Sequence, residues 1–244
     1  MTHSTTAYVI LVVFAATLIR STLGFGEALV AVPLLALRLP IQVAAPLAVG
    51  VSVLVAGVIV AQDWRSVEVR SAARLVVCAI PGIPLGLLLL ARGNEHFVRL
   101  LLGLVIAGFS LYSLTAAKAL HLEKDHPILL ACAGFVSGIL GGAYGMNGPP
   151  LAVYGALRRW PPARFRATLQ GYFLPASLAG IVGYAALGLW GRTVSRYFLL
   201  SLPGVLLAIF LGRLINHRLR GDGFFRAVYA GLIVTGLALI WQAY

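Results

Sequence analysis

The stretch LGFGEALVAVPLL, residues 23–35, returns as LGGAYGMNGPPLA, residues 140–152, with Leu23/Leu140, Gly24/Gly141, Pro33/Pro150 and Leu34/Leu151 matching at a single offset of 117. Each copy follows a short apolar run and sets a glycine-rich break where a membrane helix should continue. Paired interruptions at corresponding places in two halves of an apolar chain point to a transporter's binding site. Pro81-Gly82 likewise corresponds to Pro203-Gly204, and Gly103 with Gly108 to Gly231 with Gly236, so the duplication covers about 9–117 and 128–243.

The composition fixes the solvent. With 60% hydrophobic and 11% charged residues over 244 positions, and a mean hydropathy of +0.95, the chain is far more apolar than a soluble domain, in which about a quarter of residues are charged. Apolar stretches near 20 residues long predict spanning helices, and the alternating pattern of a membrane β-barrel is missing from the sequence. No basic residue precedes the first apolar run, so it reads as part of the mature protein rather than a removed signal. Cys78 and Cys132 fall in apolar segments at non-equivalent places, without metal-ligand spacing, and read as packing residues. The net charge of +12 sits in short loops between apolar runs, which fits topology determinants rather than a nucleic-acid surface.

The expected fold class is an all-α polytopic membrane protein built from two inverted repeats, each a re-entrant helical hairpin plus three transmembrane helices. The first repeat occupies 1–117, with a hairpin at about 7–38 and spans at about 41–61, 72–91 and 98–117. A polar linker, 118–127, separates it from the second repeat at 128–244, with a hairpin at about 128–158 and spans at about 167–189, 196–212 and 223–243. The apolar runs flanking each break are 10 to 14 residues long, which suits re-entrant pieces better than crossings.

Two topologies compete for those short pairs: a hairpin that leaves on the side it entered, or one broken helix that crosses. In the hairpin arrangement Arg65, Arg70, Arg74, Lys118, Lys124, Arg158, Arg159, Arg164, Arg166, Arg213, Arg218, Arg220 and Arg226 share one side. Arg38, Arg92, Arg99, Arg192 and Arg196 take the other, a division of 13 to 5 that becomes 11 to 7 for the broken helix. The positive-inside rule therefore favours hairpins, with both termini outside and the linker inside. Ten full crossings would give the same parity.

Glu27 is the only carboxylate at membrane depth, and Arg20 lies seven residues before it. Intramembrane ionisable residues are expensive and mark function by default. Two roles fit the pair: mutual neutralisation that pins the hairpin tip, or an arginine that attracts an anion beside a carboxylate that couples an ion. Their equivalents in the second half are Ser137 and Tyr144, so the site is expected to be asymmetric. The candidate substrate-binding residues are Arg20, Ser21, Thr22, Gly24, Gly26, Ser137, Gly141, Gly142, Tyr144, Gly145, Asn147, Gly148 and Gln170, with Glu27 for ion coupling. The glycines let the backbone bend and approach a ligand, although Gly82 with Gly86 and Gly138 with Gly142 also match the small-xxx-small packing pattern.

In Met146-Asn147-Gly148-Pro149-Pro150 the prolines suit the first turn of a new helix and Asn147 its cap. A half-helix that starts near the midplane aims its positive end at an anion. Arg166, Thr168 and Gln170 are candidates for a cytoplasmic vestibule, while Gln62 and Asp63 read equally well as helix-end caps or as gating residues.

Together these segments resemble the TauE/SafE-type sulfite exporter family. The likeness rests on the Gly-rich break and Pro-Leu helix start in each half and on the Pro-Gly-x-x-x-Gly-like run at Pro81 to Gly86. It implies movement of small sulfur-containing anions (sulfite, thiosulfate or sulfonates) across the bacterial inner membrane without nucleotide hydrolysis. The residues themselves carry no catalytic, metal, cofactor or nucleic-acid signature and no P-loop, so transport is expected to run on an ion or substrate gradient, with a proton or sodium ion as the candidate coupling ion. A homo-oligomer is compatible with the likeness. An anion channel is the nearest rival, and an intramembrane enzyme a distant one, since HExxH and GxSxG signatures are absent from the sequence.

Overall fold

The computed structural model describes residues 3–23, 26–63, 69–115, 126–157, 162–216 and 222–243, and these form eleven α-helices. Helices are what lipid demands of an apolar chain, because each backbone N–H and C=O must be paired within the segment. The first half contains α1 (His3–Leu23), α2 (Glu27–Ala36), α3 (Ile41–Asp63), α4 (Val69–Ala79), α5 (Gly82–Arg92) and α6 (Glu95–Thr115). The second contains α7 (Pro127–Tyr144), α8 (Gly148–Leu157), α9 (Pro162–Ala186), α10 (Arg192–Asn216) and α11 (Asp222–Gln242). Gly24, most of the 118–127 linker, Arg158 and Arg159 lie outside the described residues, as do the side chains of Gln62, Asp63, Arg164 and Arg166.

Among the described residues five helices are long and apolar enough to cross a membrane, and a sixth crossing is available if α4 and α5 count as one span. That pair bends by 46° at Ile80-Pro81, where proline cannot supply a helical N–H and its ring crowds the preceding turn. The expected span at 72–91 is therefore two helices.

Both breaks turn back. Tyr8, near the start of α1, donates to the carbonyl of Leu34, near the end of α2, at 2.6 Å. The Arg38 guanidinium sits 4.3 Å over the Tyr8 ring. A helix continuing across the membrane would carry Leu34 away from Tyr8; a hairpin returns it. The reversal needs left-handed backbone, and glycine supplies it at φ 94 in Gly26 and φ 67 in Gly145, a conformation that costs other L-residues. At the second tip the Gly145 N–H bonds to the Gly141 carbonyl at 2.8 Å and the Met146 N–H to that of Leu140 at 3.1 Å, capping carbonyls that the end of α7 would leave unpaired.

The arms of each hairpin differ from the sequence expectation. The first arms are long, with 21 residues in α1 and 18 in α7, and only the second arms, α2 and α8, are short at 10 residues each. The polar ends of α1, His3 to Thr6 and Arg20 to Thr22, shorten its apolar run without ending its helix.

Each long arm lies alongside a span of the other half. Gly204 lies against Ile10 and Phe14, and Gly212 against Ser21, so α1 and α10 run parallel and in step. Gly134 lies against Cys78, Gly138 against Ala79, and Gly142 against Ile83 and Leu87, so α7 runs parallel to α4 and α5. At the centre α3 packs on α9, and α6 packs on α11. This pairing scheme maps onto itself when the two halves are interchanged. The equivalent helices α6 and α11 run antiparallel: Gly103 lies against Ile240, Gly236 against Ala107, and Arg99 donates to Gln242. Antiparallel equivalents are what inverted repeats require.

Candidate functional site

The two tips meet. Ala28 at the start of α2 approaches Gly145, which itself packs on Val49 of α3, and a small cavity lies between them. Arg20, Gly26, Glu27, Ala28, Leu29, Ser52, Gly145, Met146, Asn147, Gly148, Pro149 and Phe173 line it. Ser52 lies near the middle of the 23-residue α3, which sets the cavity at mid-depth. The first turns of both short helices face it, and helix N-termini favour negative charge. The two do not contribute equally: Pro149 and Pro150 have no N–H, so α8 brings fewer donors than α2.

Arg20 is the only buried Lys or Arg among the described residues, and Glu27 the only buried Asp or Glu. Their side chains meet at 2.6 Å. The rest of the guanidinium is shared out: Nη1 also donates to Ser52 at 2.6 Å, Nη2 to Gln170 at 3.1 Å, and the plane lies 5.2 Å from the Phe173 ring centroid. Nε finds no hydrogen-bond partner among the described residues. On the other side Thr17 donates to Glu27 Oε1 at 3.0 Å. Four helices, α1, α2, α3 and α9, thus hold one ion pair.

The cavity measures about 20 Å³, room for about one water molecule. With the tips in this position, the carboxylate of Glu27 lies directly against the arginine.

Around the second tip the polar groups are also bound to one another. The Ser137 hydroxyl donates to the Asn147 carbonyl at 2.5 Å and lies 3.0 Å from the Tyr172 hydroxyl. Asn147 Nδ2 donates weakly to Ser177 at 3.5 Å. Its Oδ1 has no partner among the described residues, which corrects the expected helix cap: the side chain turns toward Gly141, where a Cβ would strike it. Gly141 is therefore needed for space, and Tyr184 fixes the same segment by donating to the Gly142 carbonyl at 2.8 Å.

Of the residues expected to bind substrate, Arg20, Gly26, Gly145, Asn147 and Gly148 line the cavity together with Glu27. Gln170 reaches it through Arg20, and Ser137 and Gly141 support Asn147. Tyr144 points elsewhere, donating to the Val98 carbonyl on α6 at 2.9 Å. Gly142 serves close packing, with Leu87 N 2.9 Å from where its Cβ would stand. Thr22 donates to the carbonyl of Ile19 at 2.7 Å, and Ser21 packs on Gly212 of α10. Thr17, Ser52, Phe173 and Ser177 were not expected. Gln170, Phe173 and Ser177 fall at i, i+3 and i+7 of α9, a spacing that places them on one helix face.

A family model described as Sulfite exporter TauE/SafE matches residues 9–239. No curated protein and no solved structure matches the chain.

Proposed function

The chain belongs to the sulfite exporter TauE/SafE family, and on that premise we propose that it is a secondary carrier of small sulfur-containing oxyanions with its binding site at the two hairpin tips. Membership makes it a multi-pass membrane transporter. The reading that sulfite, thiosulfate or a sulfonate binds beside Arg20, in an inner membrane with both termini outside, goes further. One observation carries it: a buried arginine, paired with the one buried carboxylate among the described residues, sits where two helix N-termini converge.

Arginine's planar fork suits a trigonal or tetrahedral oxyanion, offering parallel N–H donors of fixed spacing. In the closed arrangement Glu27 satisfies that fork. An incoming anion and the Glu27 carboxylate are rivals for the same positive charge, because two anions beside one buried cation leave an uncompensated charge in low dielectric. Binding of a proton to Glu27 removes one rival and frees Arg20. Proton and anion then travel as a coupled pair, and the tips part to admit substrate from one side at a time. Sodium held by the carboxylate would give the same electrostatic relief.

Uptake of labelled sulfite and thiosulfate into proteoliposomes tests this. Saturable uptake that Arg20→Leu abolishes is expected, driven by a pH gradient if protons couple and by a sodium gradient if sodium does. Ohmic currents of channel size, or saturable uptake unaffected by Arg20→Leu, would overturn the proposed site or the carrier mechanism.

A further inference from the structure

At the Ile80-Pro81 bend, α4 leans away from the axis of α5 by 46°, while α7 packs against both as a single helix. Between α4 and the first turns of α7 a cleft of about 620 Å³ opens, lined by Ala73, Arg74, Val77, Cys78, Pro127 and Leu130. That volume falls in the range of small-molecule sites. Among the described residues its walls are apolar except for Arg74. Its surroundings present apolar side chains outward, with Val77 64% and Ile128 66% exposed.

We propose that this cleft is a site for an anionic phospholipid, with one acyl chain between α4 and α7 and the phosphate on Arg74. Three observations converge. α7 begins at Pro127, directly after the most polar stretch of the chain, so the mouth of the cleft lies at headgroup level. Gly134 abuts Cys78, which puts Arg74 about one turn inside that mouth, within reach of a phosphate by the snorkelling that long basic side chains favour. The division of basic residues assigns this end to the cytoplasmic side, whose leaflet carries anionic lipid. A free phosphate ion would find one arginine and apolar walls, whereas a phospholipid satisfies both. The bound lipid would wedge the joint on which the second hairpin's long arm rests.

Native mass spectrometry on protein extracted from vesicles of equal phosphatidylglycerol and phosphatidylethanolamine provides the test. Wild type should retain phosphatidylglycerol preferentially. Arg74→Gln should reduce that preference about fivefold, the contribution of one arginine near an anionic surface, and Arg74→Lys should keep it. Val77→Trp, which fills the cleft without changing charge, should lower retention of both lipids. Arg92→Gln, an exposed arginine at the other end of the bent pair, should change nothing. Undiminished preference in Arg74→Gln, equal loss in Arg92→Gln, or unchanged retention in Val77→Trp would each overturn the site.

Discussion

Arg20 and Glu27 face each other at 2.6 Å across the first hairpin tip, with side-chain exposures of 3% and 2%. Burial makes the pair far more sensitive to losing one member than to losing both, because a lone charge in the membrane interior keeps its desolvation cost and loses its compensation. Arg20→Leu and Glu27→Leu should each destabilise the protein by about 3–5 kcal/mol. The double leucine variant should recover much of that loss. Thermal unfolding in detergent, read as a double-mutant cycle, checks this; additive losses would show that the two charges are not coupled.

Coupling is a separate question. Glu27→Gln keeps the shape of the side chain and removes the titrating group. Net transport by this variant should no longer respond to pH, while anion exchange across the membrane continues. Wild-type pH dependence in Glu27→Gln liposomes would take the proton away from this residue.

Phe173 and Ser52 hold the guanidinium from the α9 and α3 sides. Phe173→Ala removes a cation–π contact and Ser52→Ala a charge-assisted hydrogen bond, each about 1–2 kcal/mol. The apparent affinity for the anion should weaken roughly tenfold in either variant. Uptake kinetics across a concentration series measures it, with Arg192→Leu as a control at an exposed position.

Tyr144 is expected to behave differently. Its hydroxyl bonds to the Val98 carbonyl and does not reach the cavity. Tyr144→Phe should cost about 1 kcal/mol of stability and leave the transport KM unchanged. A large KM change would return this residue to the substrate site.

The glycine contacts between α5 and α7 give a test of packing. A Cβ on Gly86 would stand 2.7 Å from the backbone nitrogen of Ala143, too close without moving a helix. Gly86→Ala should therefore destabilise by about 1–3 kcal/mol, visible as a lowered Tm, whereas Gly108→Ala, with open space around it, should not.

The duplicated glycine breaks and the isolated Glu27 were enough to find the cavity, because each violates what a lipid-spanning helix permits. Ser52 and Phe173 were hidden for the converse reason. A lone serine or phenylalanine inside an apolar span breaks no rule, and only the crossing of α1 with α3 and α9 gives it a partner. The full length of α1 was hidden by its own chemistry: Arg20 interrupts the apolar run, yet three other helices satisfy the charge and the helix continues through it. Asn147 had the residue type of a cap, but Gly141 leaves a space beside it that the side chain takes instead.

The placement of α1 beside α10, and of α7 beside α4 and α5, means that neither sequence repeat is a self-contained packing unit. Each tip is braced by a strut belonging to the opposite repeat, so neither half possesses a complete hairpin mount of its own. Any movement that preserves these contacts would carry helices from both sides of the 118–127 linker together. A chain cut there and expressed as two fragments should regain function only when the fragments meet again.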